Sequence, residues 1–320
     1  MPHILLVILS LSLCLCLASS ALAHVGGQFY PVWELADIDL PNLHDGSLDD
    51  WDAVLPSVSL DHNDFVPLNV ADGAAVNPGD LAYRVFLAWS ASQQRIYMAI
   101  ERIDDIYINT YDGTGIQDLW RHDNVEFLLD GDHSGGIYSG FGLVQEDPLG
   151  EEEQGPEESA YSEEELKFLN NAQAQQYMMI ADAPDGQLLW SFNAGQSWVS
   201  QPPYGDAGGF IFDSVPHISG VELYITPWTL LNWEGPELSQ PTSLEAGQVI
   251  GFQIAIPDFD QEPGQYHSWH SIDGQPNLWW DTDNFVDGEL IPCAEGTCGE
   301  ITAESAVRAD SWGWIKASFR

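Results

Sequence analysis

The sequence predicts an all-β protein: an antiparallel β-sandwich of the jelly-roll type with one inserted helix and an acidic loop. Short runs of β-branched and aromatic residues alternate with turns rich in glycine, proline and aspartate, and only one segment has helical spacing. With 44% hydrophobic and 12% aromatic residues, the chain can bury a sizeable core. Since neither a linker nor a repeat divides it, we expect a single domain over residues 24–320.

The amino-terminal segment has the pattern of a secretory signal peptide. An apolar run from Ile4 to Leu17 is followed by small residues that end in Ala21-Leu22-Ala23. This pattern predicts removal of residues 1–23 by cleavage after Ala23. The run is too short for a comfortable membrane span, although an uncleaved anchor is the alternative. We therefore expect a secreted or periplasmic protein with no membrane partner after cleavage.

The charge balance is strongly acidic. Fifty acidic residues oppose eight basic ones, and the formal net charge is −42. Such a surface repels nucleic acid and anionic lipid, so neither is an expected partner. It favours divalent cations or a saline medium, and solubility in such a medium accounts for most of the charge without any specific partner.

Strands are expected wherever apolar residues alternate or run between turn residues. Residues 24–44 are typical of a lead-in strand with loops, and residues 45–51 of an acidic turn. The clearest local prediction is a hairpin of strands 81–89 and 95–101, joined by a polar turn. Further strands are expected at 120–130, 187–193, 209–215, 221–226, 248–256 and 312–319.

An insertion at about 145–180 interrupts this series of strands. Its first part is crowded with glutamates among proline and glycine, which predicts a solvated acidic loop. Ser162 and Glu165 then have the spacing of a capping box, and the apolar residues that follow recur on one helical face. We therefore expect a helix over 163–177.

Four cysteines are present, and Cys14 and Cys16 belong to the expected signal peptide. Cys293 and Cys298 lie close together near the end of the chain. In an exported protein such a pair favours a disulfide that closes a loop, and so small a ring adds little stability. Two cysteines alone make a poor metal site.

The segment from Trp120 to Asp130 is the most informative in the chain. If it is a regular strand throughout, Trp120 and Glu126 share one face with Asn124 between them. A flat ring beside a carboxylate suits a sugar, because the ring covers its C–H face and the carboxylate accepts from its hydroxyls. The opposite face carries the apolar residues expected in the core, Val125, Phe127 and Leu129.

The turn after this segment resembles the opening of a calcium loop. Asp130, Asp132 and Ser134 place oxygen donors at alternate positions, and Gly135 allows a sharp turn. No glutamate closes an EF-hand loop, so other turns would have to complete the roughly six to eight oxygens that calcium takes. An ordinary acidic turn is the alternative. The candidates for the remaining ligands are Asp45, Asp104 and Asp105.

The order of these segments resembles the family 9 carbohydrate-binding modules and the wider group of DOMON-like sandwiches. The resemblance rests on the Asp-Gly to Asp-Trp opening at 45–51, the two hairpin strands, the Trp-x-x-Asp-x-Val-Glu-Phe motif at 120–127, and the run at 247–258. It covers roughly residues 40–320, a one-domain span. It implies a two-sheet sandwich, calcium ions in a structural role, and a sugar held between two tryptophans.

The resemblance assigns roles to particular residues. Trp120 resembles the first aromatic wall, and Glu126 the carboxylate that binds sugar hydroxyls. Asn277-Leu-Trp-Trp280 resembles the Asn-x-x-Trp segment, which makes Trp280 the second wall and Asn277 a polar contact. Family binders also place an arginine on the strand after the glutamate, whereas residues 136–142 contain none.

We therefore expect a non-catalytic protein that binds mono- or oligosaccharides or the ends of polysaccharides. One alternative is an envelope or extracellular interaction protein with the same sandwich and no sugar site. Another is a DOMON-like domain that binds haem through Met178 or Met179. A third is a polysaccharide-active enzyme, because cleavage would leave His24 at the new terminus, as in copper oxygenases that use a second histidine. We expect no catalytic residues, since neither a serine-hydrolase elbow nor a His-Glu-x-x-His pair occurs.

Overall fold

The computed structural model describes residues 24, 28–55, 59–68, 76–114, 116–139, 162, 169–192, 198–212 and 214–293. The expected signal peptide, the acidic loop, residues 163–168 of the expected helix and the expected strand 312–319 lie outside these residues. Cys293 is disulfide-bonded, and its predicted partner Cys298 also lies outside them. None of the helices in the described residues is both long and apolar enough to cross a bilayer.

The described chain is almost entirely β, which confirms the predicted fold class. Its α-helix, α1, spans Asp49–Val54. Short 3-10 helices span Asp37–Asp39, Ile116–Arg121, Trp198–Ser200, Pro236–Leu238 and Thr282–Asn284. The strands are β1 (Phe29–Glu34), β2 (Leu60–Asp61), β3 (Phe65–Leu68), β4 (Leu81–Ser90), β5 (Arg95–Asp104), β6 (Val125–Asp130), β7 (Gln175–Met179), β8 (Leu189–Ser191), β9 (Gly205–Phe212), β10 (His217–Ile225), β11 (Trp228–Leu230), β12 (Gln240–Pro241), β13 (Val249–Asp258), β14 (Ser268–Ile272) and β15 (Val286–Ile291).

Most strands belong to one continuous sheet that is folded into two packed halves. The strand order is β8-β7-β6-β13-β15-β1-β4-β5-β10-β9, with β14 beside β13, β3 beside β14, and β2 beside β4. Pairing is antiparallel except at β1, which runs parallel to β15 and to β4. β1 thereby connects the half built around β6 and β13 with the half built around β4, β5 and β10.

The main hydrophobic core lies between the two halves because side chains alternate along each strand. The predicted inward residues of β6, Val125, Phe127 and Leu129, are all buried in it. The predicted hairpin is confirmed as β4 and β5, which pair over their full length. Core residues from the opposing strands include Val85, Leu87, Met98, Ile100, Leu223, Phe252, Ile254 and Val286.

A second apolar layer covers the outer face of β4 and β5. The expected acidic turn before Trp51 is wrong in part, because Asp49–Val54 forms α1, with aspartates in its first turn. The Trp51 ring stacks on Phe86 with centroids 5.9 Å apart, and its indole N–H donates to Glu222 at 2.7 Å. Burial raises the pKa of Glu222 to about 8.

Two other sequence expectations are wrong. Residues 120–124 are not part of the strand, because Ile116–Arg121 is a 3-10 helix and β6 begins at Val125. The predicted helix cannot extend to residue 177, because Gln175–Met179 forms β7 and pairs with β6. Pairing with β6 and burial of the β7 side chains outweigh the weak helical pattern there.

A buried ion cluster connects the two halves of the sheet. Arg102 on β5 donates to Asp104 at 2.8 Å, to Asp123 at 2.6 Å and to Asp258 at 3.2 Å. It also donates to the carbonyl of Pro257 at 2.8 Å. Three carboxylates surround one guanidinium, and burial raises the pKa of Asp104 and of Asp258 to about 6. Arg102 therefore neutralises charge that the interior would otherwise leave uncompensated.

We predict that Arg102→Met lowers the free energy of unfolding at pH 7 by about 3–5 kcal/mol, because it leaves buried carboxylates without their partner. The loss should be smaller at pH 5, where more of these carboxyls are protonated. Urea denaturation followed by tryptophan fluorescence measures both values.

Arg121→Met is the matched control. Arg121 pairs with Asp118 at 3.1 Å, and both side chains are about half exposed, so its loss should stay below about 1 kcal/mol. Equal losses in the two variants would contradict a special structural role for Arg102.

Candidate functional site

Glu126 lies on the outer face of β6, on the side opposite the main core. Its backbone pairs with Met178 on β7 and Ala255 on β13. Only 5% of the residue is exposed, and its carboxylate accepts a hydrogen bond from the side-chain amide of Gln176 at 2.8 Å. Burial raises the pKa of Glu126 to about 7, although the bond from Gln176 lowers it. The carboxyl group is thus a buried hydrogen-bonding group that titrates near neutral pH.

Trp120 is held in the 3-10 helix that precedes β6. The side-chain amide of Asn124 donates to the carbonyls of His122 at 2.7 Å and Leu119 at 3.3 Å, which ties the end of that helix to the start of the strand. Trp120 is 38% exposed. Its ring lies 6.4 Å from that of Tyr266, tilted by 40°. The two rings form a partly exposed aromatic surface.

Glu126 influences the pKa of two tyrosines in the candidate site. Burial raises the pKa of Tyr266, and the nearby charge of Glu126 raises it further. Burial likewise raises the pKa of Tyr138, with a further contribution from Glu126. The charge of Glu126 therefore acts on both tyrosines, on Tyr266 beside Trp120 and on Tyr138.

Tyr138 in turn holds the predicted Asn-x-x-Trp segment. Its backbone N–H donates to the carbonyl of Trp280 at 2.8 Å, and its hydroxyl donates to the carbonyl of Leu278 at 2.8 Å. Asn277 has a φ of 65°, a left-handed conformation that asparagine tolerates. Trp280 is partly exposed and packs edge-on against Trp279, with centroids 5.1 Å apart.

Contacts thus join Trp120 to Tyr266 and the Asn277–Trp280 turn to Tyr138, and the charge of Glu126 raises the pKa of both tyrosines. Strand alternation does not cause this, since Trp120 lies outside the strand. A slot with two facing tryptophan walls stays a prediction.

Two residues of this face were not identified from the sequence. The sequence pattern predicts a helix at Gln176, and this residue contacts Glu126 only because β7 pairs with β6. Tyr266 lies in a loop with no periodic pattern, and its place beside Trp120 depends on chain folding. The aromatic content of 265–270 was the only local signal.

The predicted calcium ligands fall in separate places. The Asp130 carboxylate accepts from the N–H groups of Ser134 at 3.2 Å and Gly135 at 2.8 Å. Asp104 binds Arg102, and with Asp105 it lies near Asp260. Asp45 accepts from the N–H of Ser47 at 2.9 Å in a turn before α1. Calcium at Asp130, Asp132 and Ser134 stays a prediction, and the other candidates lie in different groups of side chains.

The two methionines considered for haem are core residues. Met178 is 1% exposed and packs in an apolar cluster with Trp190 and Leu119. Met179 is fully buried in the main core on the opposite face of β7. Both therefore act as packing side chains in the described structure, the usual role of methionine.

Solved structures with a similar fold were found. A family 9 carbohydrate-binding module from Caldicellulosiruptor kristjanssonii in complex with glucose has a TM-score of 0.49 and 12% sequence identity, over 84% of this chain and 98% of that chain. The corresponding complex with cellotriose has a TM-score of 0.48 and 13% identity, over 85% and 98%. A candidate carbohydrate-binding protein from Bacteroides uniformis has a TM-score of 0.39 and 10% identity, over 83% and 100%.

No protein-family model and no curated protein sequence matches the chain. Two of the three structures above are modules of the family that the sequence motifs resemble.

The raised pKa of Glu126 predicts a pH-dependent stability. Its pKa is about 7 in the folded state and is raised from 4.5. Between these values the folded state binds more protons than the unfolded state, so stability falls as the pH rises. Relative to Glu126→Gln, the wild type should lose on the order of 1–3 kcal/mol between pH 4.5 and pH 8. Urea denaturation of both proteins across this range measures the difference; parallel curves would contradict it.

Proposed function

We propose that this protein binds carbohydrate on the outer face of β6, without catalysing a reaction. The observation that carries the proposal is the partly exposed pair of Trp120 and Tyr266 beside the buried carboxyl group of Glu126. Aromatic rings cover the C–H faces of a pyranose, and a fixed carboxyl group bonds its hydroxyls.

Unused hydrogen-bonding capacity supports this proposal. Among the described residues, the side-chain oxygen of Gln176 is buried and has no hydrogen-bond partner, although the amide nitrogen binds Glu126. A buried polar atom without a partner is unfavourable. In the proposal, a sugar hydroxyl donates to this oxygen when the ligand is bound.

Trp280 and Asn277 are proposed as the opposite side of the site. They belong to the turn that Tyr138 holds against the same face. Stacking with a few hydrogen bonds gives an affinity on the order of micromolar to millimolar.

A second candidate is a protein-interaction module that keeps the sandwich without sugar binding. One observation favours it: Glu126 is only 5% exposed, so little of its carboxyl group is open to a ligand. The missing arginine at 136–142 is consistent with this alternative.

We predict that Trp120→Ala weakens sugar binding at least about tenfold, because an aromatic ring at the centre of a small site supplies much of its binding energy. The unfolding midpoint should change little, since the side chain is partly exposed. Isothermal titration calorimetry with glucose and cellotriose, the ligands of two similar structures, measures the affinity.

Trp233→Ala is the matched control, because Trp233 is 42% exposed and follows β11, on another part of the chain. This variant should bind as the wild type does. Absence of heat with glucose, cellotriose, xylose and xylobiose in the wild type would contradict the proposal and favour the interaction module.

A further inference from the structure

Two histidines and two aspartates meet at the other end of the same outer face. His24, His133 and Asp287 place a ring nitrogen or carboxylate oxygen within 4.8 Å of one another. Asp130 lies against His24 on the far side, 3.2 Å from its Nε2. The predicted calcium turn therefore contains a residue, His133, that joins a nitrogen-rich cluster.

The strand register explains how the cluster forms. Gly251 on β13 pairs with Asp130 on β6 and with Asp287 on β15. Paired residues on neighbouring strands point to the same face of a sheet. The two aspartates therefore flank Gly251 on the outer face, with backbones about 10 Å apart, twice the spacing of neighbouring strands.

Gly251 leaves the space that His24 occupies. A Cβ atom at position 251 would lie 2.0 Å from Cε1 of the His24 ring and 2.5 Å from its Nε2. The imidazole therefore stands directly over the glycine backbone, between the two aspartates. The absence of a side chain is what allows this close approach. The His24 side chain is completely buried there.

The two nitrogens of His24 have different surroundings. Nε2 faces Asp130, whereas Nδ1 lies 3.4 Å from Asp287 Oδ1. Among the described residues, this buried Nδ1 has no hydrogen-bond partner. His133 approaches the same point: its Nε2 lies 2.8 Å from Asp287 Oδ1, and its ring centroid lies 3.9 Å from that of His24.

These distances match a tetrahedral metal site. Zinc bonds to nitrogen and oxygen are about 2.0–2.2 Å long, so two ligand atoms of a tetrahedral site lie about 3.3 Å apart. The contacts of Asp287 Oδ1 with the two histidines, at 3.4 and 2.8 Å, bracket this value.

We propose that this cluster binds a divalent transition metal, with zinc as the representative ion. The ligands are His24 Nδ1, His133 Nε2 and Asp287 Oδ1. Asp130 positions the site, because a carboxylate on the second nitrogen of a ligating histidine sets the ring orientation. Imidazole suits zinc and similar metals, whereas calcium takes oxygen ligands, so this site differs in kind from the predicted calcium loop.

Three protein ligands leave one position of a tetrahedral zinc site for water or an external ligand. Of the three ligands, His133 has the most exposed side chain at 27%, against 14% for Asp287 and 0% for His24. The site lies four residues along β6 from Glu126, about 13 Å away. It is therefore separate from the proposed sugar site, and either proposal can fail without the other.

The test is a metal titration of the full chain. Protein freed of metal by a chelator is titrated with zinc chloride by calorimetry and, in parallel, with cobalt chloride by visible absorption. One zinc ion per chain is expected, with the absorption of a four-coordinate Co²⁺ complex. Millimolar calcium should not displace the zinc. Absence of zinc and cobalt binding, or displacement by calcium, would overturn the proposal.

The zinc affinities of single-residue variants test which side chains bind the metal. His133→Ala, at a partly exposed position, should lower zinc affinity on the order of 100-fold, and Asp130→Asn about 10–100-fold as expected for a positioning residue. His44→Ala is the matched control, because His44 also pairs with an aspartate, Asp206, at 3.1 Å on the surface, and should bind zinc as the wild type does. Unchanged affinity in His133→Ala would overturn the assignment.

Discussion

The alternation of side chains along β6 is the constraint on which the rest of the structure depends. Val125, Phe127 and Leu129 enter the core between the two halves of the sheet, so the residues between them must face outward. Those residues are Glu126, Leu128 and Asp130. One short strand therefore supplies core packing on one face and two buried acidic groups on the other, with Leu128 packed between them.

In the described residues, connecting segments pack on the outer face of β6 beside Trp269 of β14. Leu128 packs with Tyr138, Leu278 and Phe285 in a small apolar cluster, which keeps water from the middle of the face. The polar groups remain at its two ends. Near Glu126 they lie beside partly exposed aromatic rings, whose chemistry suits a sugar. Near Asp130 they lie beside histidine nitrogens, whose chemistry suits a transition metal. The same packed surface thus lies between the proposed sugar site and the proposed metal site.

The alternation of apolar and polar residues predicted the parts of the fold that depend on neighbouring residues in the sequence. The hairpin of β4 and β5 and the inward residues of β6 follow from alternation and a polar turn. Tertiary contacts decided the rest. Trp120 lies in a 3-10 helix instead of the strand, and the Asn124 side chain bonds to the carbonyls at the end of that helix. Residues 175–177 form a strand because they pair with β6. His24 meets Asp287 only because β13 places Gly251 between β6 and β15, a juxtaposition that no local spacing shows.

The most direct test of the proposed sugar site is the response of individual tryptophans to ligand. In an indole-labelled sample, the side-chain N–H resonances of Trp120 and Trp280 should shift on addition of cellotriose. Those of Trp51 and Trp89 should not, because their indoles are buried and donate to Glu222 and to the Ile291 carbonyl. Saturable shifts of Trp120 and Trp280, with no shift of Trp51 and Trp89, are the predicted result. Unshifted Trp120 and Trp280 resonances at saturating sugar would contradict a carbohydrate site on this face.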